Sequence, residues 1–192
     1  MNLPNRLTLV RLAATPFFVA ALCFPFPGSA TIALILFLGA SLTDWLDGRI
    51  ARARGLVTRF GQLMDPLADK ILTASAFVGL IPRGDFPAWA ATVIIAREFL
   101  ITGLRTLSMQ SGRVLAADRL GKHKTGWQIG TILLLLALPA AEEWLRGAPT
   151  SLAAIEKLHA IAAPVAVWIT VALTLWSGAA YLWSNRELIR DA

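Results

Sequence analysis

Six apolar stretches recur along this 192-residue chain, at roughly residues 12–27, 30–42, 71–82, 87–104, 126–141 and 161–183. Crossing the hydrocarbon core of a bilayer takes about 20 helical residues, and only segments that satisfy their own backbone hydrogen bonds can do so. The pattern predicts an all-α, polytopic membrane protein with six transmembrane helices. Stretches 30–42 and 71–82 are short by that measure. They reach full length only if helix continues through the charged residues 43–70, so two helices should project from the membrane on one side. The composition agrees, with 56% hydrophobic and 16% charged residues against about 25% charged in a soluble domain. A chain of this length is expected to form one domain, residues 1–192.

The first apolar run needs a check. Arg6 and Arg11 precede it and Gly28-Ser29-Ala30 follows it, which imitates a secretory leader. Comparably apolar segments come after it, so an uncleaved first span is expected. Cys23 is the sole cysteine and lies in that run, where packing is its expected role.

The net charge of +6 could suggest nucleic acid, but the basic residues are dispersed between apolar segments and form no stripe. No nucleic-acid partner is expected. With six spans, all of the 18 Lys and Arg except Arg83, Arg146 and Lys157 fall on the side that holds both termini. The positive-inside rule places that side, and both termini, in the cytoplasm. Pro25, Pro27 and Gly28, and then Pro82, Gly84 and Pro87, predict tight turns on the other side. Trp144, Trp168, Trp176 and Trp183 suit an interfacial belt or helix packing. His123 reads as solvated, and His159 falls on the side opposite the cytoplasm.

The segment 44–70, DWLDGRIARARGLVTRFGQLMDPLADK, carries the chemistry. At 100° per residue Asp44, Asp47, Gly48 and Ala51 share one helical face, pairing two carboxylates with two residues of minimal side chain. Gly61, Asp65 and Asp69 recur every four residues and form a second such face. Pro66 fits a first helical turn, with Asp65 as its N-cap. Four carboxylates gathered at a membrane surface repel one another unless cations neutralise them. Nearby arginines could do so. So could hard divalent ions such as Mg²⁺ or Mn²⁺, which choose carboxylate and phosphate oxygen and, as a pair about 4 Å apart, clamp a phosphorus centre.

The run also resembles the signature of the CDP-alcohol phosphotransferases, D-x2-D-G-x2-A-R-x8-G-x3-D-x3-D. Asp44, Asp47, Gly48, Ala51, Arg52, Gly61, Asp65 and Asp69 match it without a gap. The resemblance implies a cytoplasm-facing active site that uses two divalent ions, Mg²⁺ or Mn²⁺. Asp44, Asp47, Asp65 and Asp69 would be the metal ligands and Asp69 the general base. Asp47, Gly48, Ala51, Arg52, Thr58 and Gly61 would line the CDP-diacylglycerol site. Arg52 offers a fork of donors suited to a diphosphate, and Thr58 a single hydroxyl.

The alcohol acceptor is not fixed by that signature. The start, MNLPNRLTLVR, and residues 96–128, AREFLITGLRTLSMQSGRVLAADRLGKHKTGWQ, are similar to the bacterial phosphatidylglycerophosphate synthases. This branch implies transfer of a phosphatidyl group to glycerol 3-phosphate, a bacterial cytoplasmic membrane location and a homodimer. Gly126 and Gly130 form a small-xxx-small pattern able to pack helices between subunits or within one. Arg97 and Glu98 interrupt an apolar run, where ionisable residues are costly and usually functional. As sequence neighbours they are expected to point apart rather than to neutralise each other. Arg105, Arg113, Lys122 and Lys124 form a basic group, with Arg105, Arg113 and Lys124 as candidates for an acceptor phosphate. The same cations could instead face anionic lipid headgroups and set topology. Phosphatidylglycerol, inositol phosphate or serine are the rival acceptors. A divalent-cation transporter is the rival of another class, but it should carry acids at the midplane of several helices.

Overall fold

Long apolar runs bounded by Gly and Pro turns leave the backbone one economical choice, helix packed on helix. The computed structural model describes the backbone over residues 3–24, 26–54, 59–110 and 119–186. The side chains of 3–4, 45–54, 59–60, 62–63, 107, 109–110, 119–120 and 122 are outside the description. Six helices follow one another, and the described residues include no strand. They are α1 (Leu3–Cys23), α2 (Ser29–Arg54), α3 (Arg59–Leu80), α4 (Ala88–Gln110), α5 (Arg119–Trp144) and α6 (Pro149–Ser184).

Helices α2 and α3 extend through most of the charged segment, as their short apolar stretches require. The segments Asn5–Cys23, His123–Trp144 and Pro149–Ser184 are long and apolar enough to cross a membrane, and Ser29–Asp44 is a shorter apolar helix. The chain is an all-helical, polytopic membrane protein. Its outer surface agrees, because Phe17, Phe99, Trp168, Trp176 and Trp183 are exposed, a cost in water that lipid removes. Cys23 is exposed as well. It is not packed in the core as expected, because it ends α1 just where the chain turns.

Helix α1 packs against α2 and α3, α2 against α5, α5 against α6, and α4 against α6. Phe18 of α1 meets Phe37 of α2 at a ring separation of 5.6 Å. Phe77 of α3 meets Phe86, in the turn before α4, at 4.7 Å. At Gly79 of α3 an added Cβ would stand 2.7 Å from Leu22 Cδ1, so α1 and α3 approach closely there. The turns after α1 and α3 use glycines with positive φ, Gly28 at 88° and Gly84 at 79°, a conformation that costs glycine little. A polar seam joins α5 to α6. Thr131 and Thr170 share a 2.7 Å hydrogen bond, and Gln128 Nε2 donates to Thr174 Oγ1 at 3.3 Å. Such bonds act as glue between helices in lipid.

Pro66 does not start a helix. It lies inside α3, which begins at Arg59, so Asp65 is an interior residue and not an N-cap. Membrane helices tolerate an interior proline where neighbours re-satisfy the freed backbone groups. At the bundle end holding the α3–α4 turn, His159 of α6 contacts Asp85 at 3.3 Å and Glu142 of α5 at 3.0 Å. The helix directions put this cluster at the end opposite Asp44 and Asp69.

Candidate active site

Two polar layers adjoin at the other end, and Asp69 belongs to both. The first is built from α1, α2 and α3. Arg11 of α1 has no exposed side-chain surface, and its Nη1 lies 2.5 Å from Asp44 Oδ1 on α2. A charge so deeply buried persists only when paired. One turn earlier on the same face, buried Thr8 donates from Oγ1 to Asp65 Oδ1 on α3 at 2.5 Å. Asp44 and Asp69 are near enough for their charges to repel, while Arg11 and Lys124 attract Asp69. Gly61 is buried two turns before Asp69, so this face of α3 carries no bulk at its start.

Asp47, Gly48, Ala51 and Arg52 lie on the α2 backbone with side-chain positions outside the described set, and Thr58 and Arg113 fall outside the described residues altogether. Among the described residues no three carboxylate, imidazole or thiol side chains stand together closely enough to hold a metal ion. The donor chemistry nevertheless fits a hard cation. Asp44, Asp65 and Asp69 offer only oxygen, and among the described residues Arg11 is the one cation ion-paired with them in this layer.

The second layer is a cavity of about 490 Å³ between α3, α4, α5 and α6, lined by Asp69, Lys70, Arg97, Glu98, Arg105, Lys124 and Tyr181 among others. Glu98 Oε1 accepts from Arg97 Nη1 at 3.2 Å and is ion-paired with Lys124. The expectation that Arg97 and Glu98 cannot neutralise each other is therefore wrong. Their Cβ atoms diverge, but both side chains are long enough to curl back into the same cavity. Lys124 is buried rather than free. Lys70 donates to Thr102 Oγ1 across the α3–α4 contact. Arg97 is also bound to Ser177 Oγ at 3.1 Å. Its stem fits because position 178 is glycine, where a Cβ would stand 3.1 Å from Arg97 Cγ. The guanidinium carbon of Arg105 lies 5.4 Å from the centroid of the Tyr181 ring, within cation–π range.

The structure therefore brings Arg105 and Lys124 into one cavity with Asp69. Sequence reasoning assigned no role in this site to Thr8, Arg11, Lys70, Thr102 or Tyr181. A signal existed for the first two. Asn5, Thr8, Arg11 and Thr15 are polar residues at helical spacing, and all four are buried, whereas Arg6 between them is exposed.

Comparison with known proteins bears on this site. The sequence profile described as CDP-alcohol phosphatidyltransferase matches residues 1–176. A Bacillus subtilis (strain 168) protein named CDP-diacylglycerol–glycerol-3-phosphate 3-phosphatidyltransferase is 39% identical over 203 residues, covering 100% of this chain and 98% of that protein. Proteins of the same name from Yersinia pestis (strain Pestoides F) and Rickettsia bellii (strain RML369-C) are similar too. The first is 35% identical across 96% of this chain and 97% of its own length. The second is 37% identical across 70% and 75% respectively.

Proposed function

The chain belongs to the CDP-alcohol phosphatidyltransferase family, and from that premise we propose that it transfers the phosphatidyl group of CDP-diacylglycerol to glycerol 3-phosphate. The products are phosphatidylglycerophosphate and CMP. The observation that carries this reading is the shared cavity. Among the described residues that line it, Lys70, Arg97, Arg105 and Lys124 face two carboxylates, Glu98 and Asp69, and the excess of positive charge suits an acceptor that brings its own phosphate. Serine would leave that excess unmatched.

In this mechanism Arg105 and Lys124, with Arg113, receive the acceptor phosphate, and Lys124 exchanges part of its contact with Glu98 for it. The 1-hydroxyl is thereby held towards Asp69, which accepts its proton. The hydroxyl oxygen forms a bond to the phosphorus bearing diacylglycerol. The bond from that phosphorus to the bridging oxygen breaks, and CMP leaves with the bridging oxygen. Arg52 and Thr58, with Gly48, Ala51 and Gly61 giving close access, contact the CDP moiety. The family is generally divalent-metal dependent. Asp44, Asp47, Asp65 and Asp69 are the residues that would hold two ions, Mg²⁺ or Mn²⁺, and when bound these would neutralise diphosphate charge and acidify the attacking hydroxyl.

All six helices span the membrane in this reading, with the aspartate end and both termini in the cytoplasm of a bacterial cell. The distribution of Lys and Arg supports that orientation. Gly126 and Gly130 are exposed on α5, which leaves them available to a homodimer contact.

The test is CMP release from CDP-diacylglycerol by the detergent-purified protein with Mg²⁺. Glycerol 3-phosphate, inositol 1-phosphate, serine and phosphatidylglycerol are offered separately. Release with glycerol 3-phosphate alone supports the proposal. Release with another acceptor alone overturns it while leaving family membership intact.

A further inference from the structure

Helix α1 lies outside the aspartate-bearing segment, yet it touches both halves of it. Arg11 Nη1 reaches Asp44 Oδ1 on α2 at 2.5 Å. Thr8 Oγ1 reaches Asp65 Oδ1 on α3 at 2.5 Å. Each contact engages one carboxylate oxygen and thereby fixes how the other is presented. Both donors are buried, so neither has water as an alternative partner. The helix behind them is firmly seated. Thr15 Oγ1 bonds to the Arg11 carbonyl at 2.9 Å, Phe18 packs on Phe37 of α2, and Leu22 fills the space left at Gly79 of α3. A donor fixed behind a ligating carboxylate orients the ligand, and such supporting contacts typically matter ten- to a hundredfold in metal affinity.

We propose that Thr8 and Arg11 are positioning residues, through which α1 sets the orientation of the Asp65 and Asp44 carboxylates and hence the affinity of the site for divalent cations. The proposal rests on the reading above that these aspartates hold metal. Arg11 alone could be explained as a competing cation that occupies Asp44 when no metal is present, in which case weakening it would tighten metal binding. Thr8 is uncharged, so it cannot act as a competing cation.

The test is Mn²⁺ binding, read as free Mn²⁺ by electron paramagnetic resonance, on the detergent-purified full chain without substrate. Thr8→Val should weaken Mn²⁺ binding about 10-fold, and Thr8→Ser, which keeps the hydroxyl, should bind as the wild type does. Helical circular dichroism and size-exclusion elution confirm that each variant is folded. If Thr8→Val does not fold, Arg11→Lys decides, because it keeps the charge and loses the fork. Weaker Mn²⁺ binding by Arg11→Lys supports the proposal, and unchanged or tighter binding overturns it. Unchanged binding by folded Thr8→Val, or equal weakening by Thr8→Ser, also overturns it. A wild-type chain that binds no Mn²⁺ would sink the metal reading itself, and the α1 assignment with it.

Discussion

Glu98 on α4 and Lys124 on α5 form an ion pair inside the cavity that Asp69 lines. Lys124 is 3% exposed and Glu98 22%; removing Glu98 strands Lys124, whereas removing Lys124 leaves Glu98 paired with Arg97. Losing half of a buried pair typically costs about 3–5 kcal/mol, and removing both restores much of it. Glu98→Gln should therefore lower the thermal unfolding midpoint in detergent sharply, and Glu98→Gln/Lys124→Met should recover most of that loss. The double variant should still show a raised KM for glycerol 3-phosphate. Recovery of KM along with stability would remove Lys124 from the acceptor site.

Asp69→Asn removes the proposed proton acceptor with almost no change in shape. General-base contributions of this kind are about 10²- to 10⁴-fold. The kcat for CMP release should fall by at least the lower figure, with helical content unchanged. Residual activity above a tenth of wild type would place the base elsewhere.

Arg105 lies at the rim of the cavity, with its guanidinium over the Tyr181 ring. Arg105→Met should raise the KM for glycerol 3-phosphate about 10-fold or more, as a lost charge-assisted bond of about 1.5–3 kcal/mol implies, and should leave kcat within a factor of a few. Tyr181→Leu should give a smaller rise, because an exposed cation–π contact contributes about 0.5–1 kcal/mol. Tyr181→Phe, which keeps the ring, should be nearly silent. Titration of initial rates against glycerol 3-phosphate separates the three.

Much of this arrangement could be read from spacing alone. The alternation of apolar and charged segments implied the helices, and the need for length implied that α2 and α3 run on through the aspartates. The partners of those charges were not legible, for a physical reason. Arg11 and Thr8 read as a basic residue and a hydroxyl near the first span, because their contacts to Asp44 and Asp65 depend on how α1 crosses α2 and α3. Lys124 read as one of a basic group suited to a phosphate, and its pairing with Glu98 was not visible because Glu98 lies 26 residues away on another helix. Arg97 and Glu98 were misjudged on backbone direction alone, which ignores the reach of two long side chains. Pro66 was misplaced by a rule for helix starts that holds in water and is relaxed in a packed membrane bundle.

A stability control lies at the far end of the bundle. The Glu143 carboxylate on α5 accepts from Ala30 N and Thr31 N at 3.1 Å each and from Thr31 Oγ1 at 2.9 Å, capping the start of α2. Glu143→Ala should destabilise the protein by about 1 kcal/mol, as loss of a helix cap does, seen as a lower unfolding midpoint. The KM for glycerol 3-phosphate should not move. A change in KM would mean that the two ends of the bundle are coupled.

The central claim is that the acceptor hydroxyl attacks the phosphorus bearing diacylglycerol. Glycerol 3-phosphate carrying ¹⁸O in its 1-hydroxyl tests it directly, with products resolved by mass spectrometry after a single turnover. The account predicts that the label appears wholly in phosphatidylglycerophosphate and that CMP is unlabelled. Label in a diester joining cytidine monophosphate to O1 of glycerol 3-phosphate, with phosphatidate as co-product, would show attack at the other phosphorus. Unlabelled phosphatidate alone would show attack by water, and either result would contradict the account.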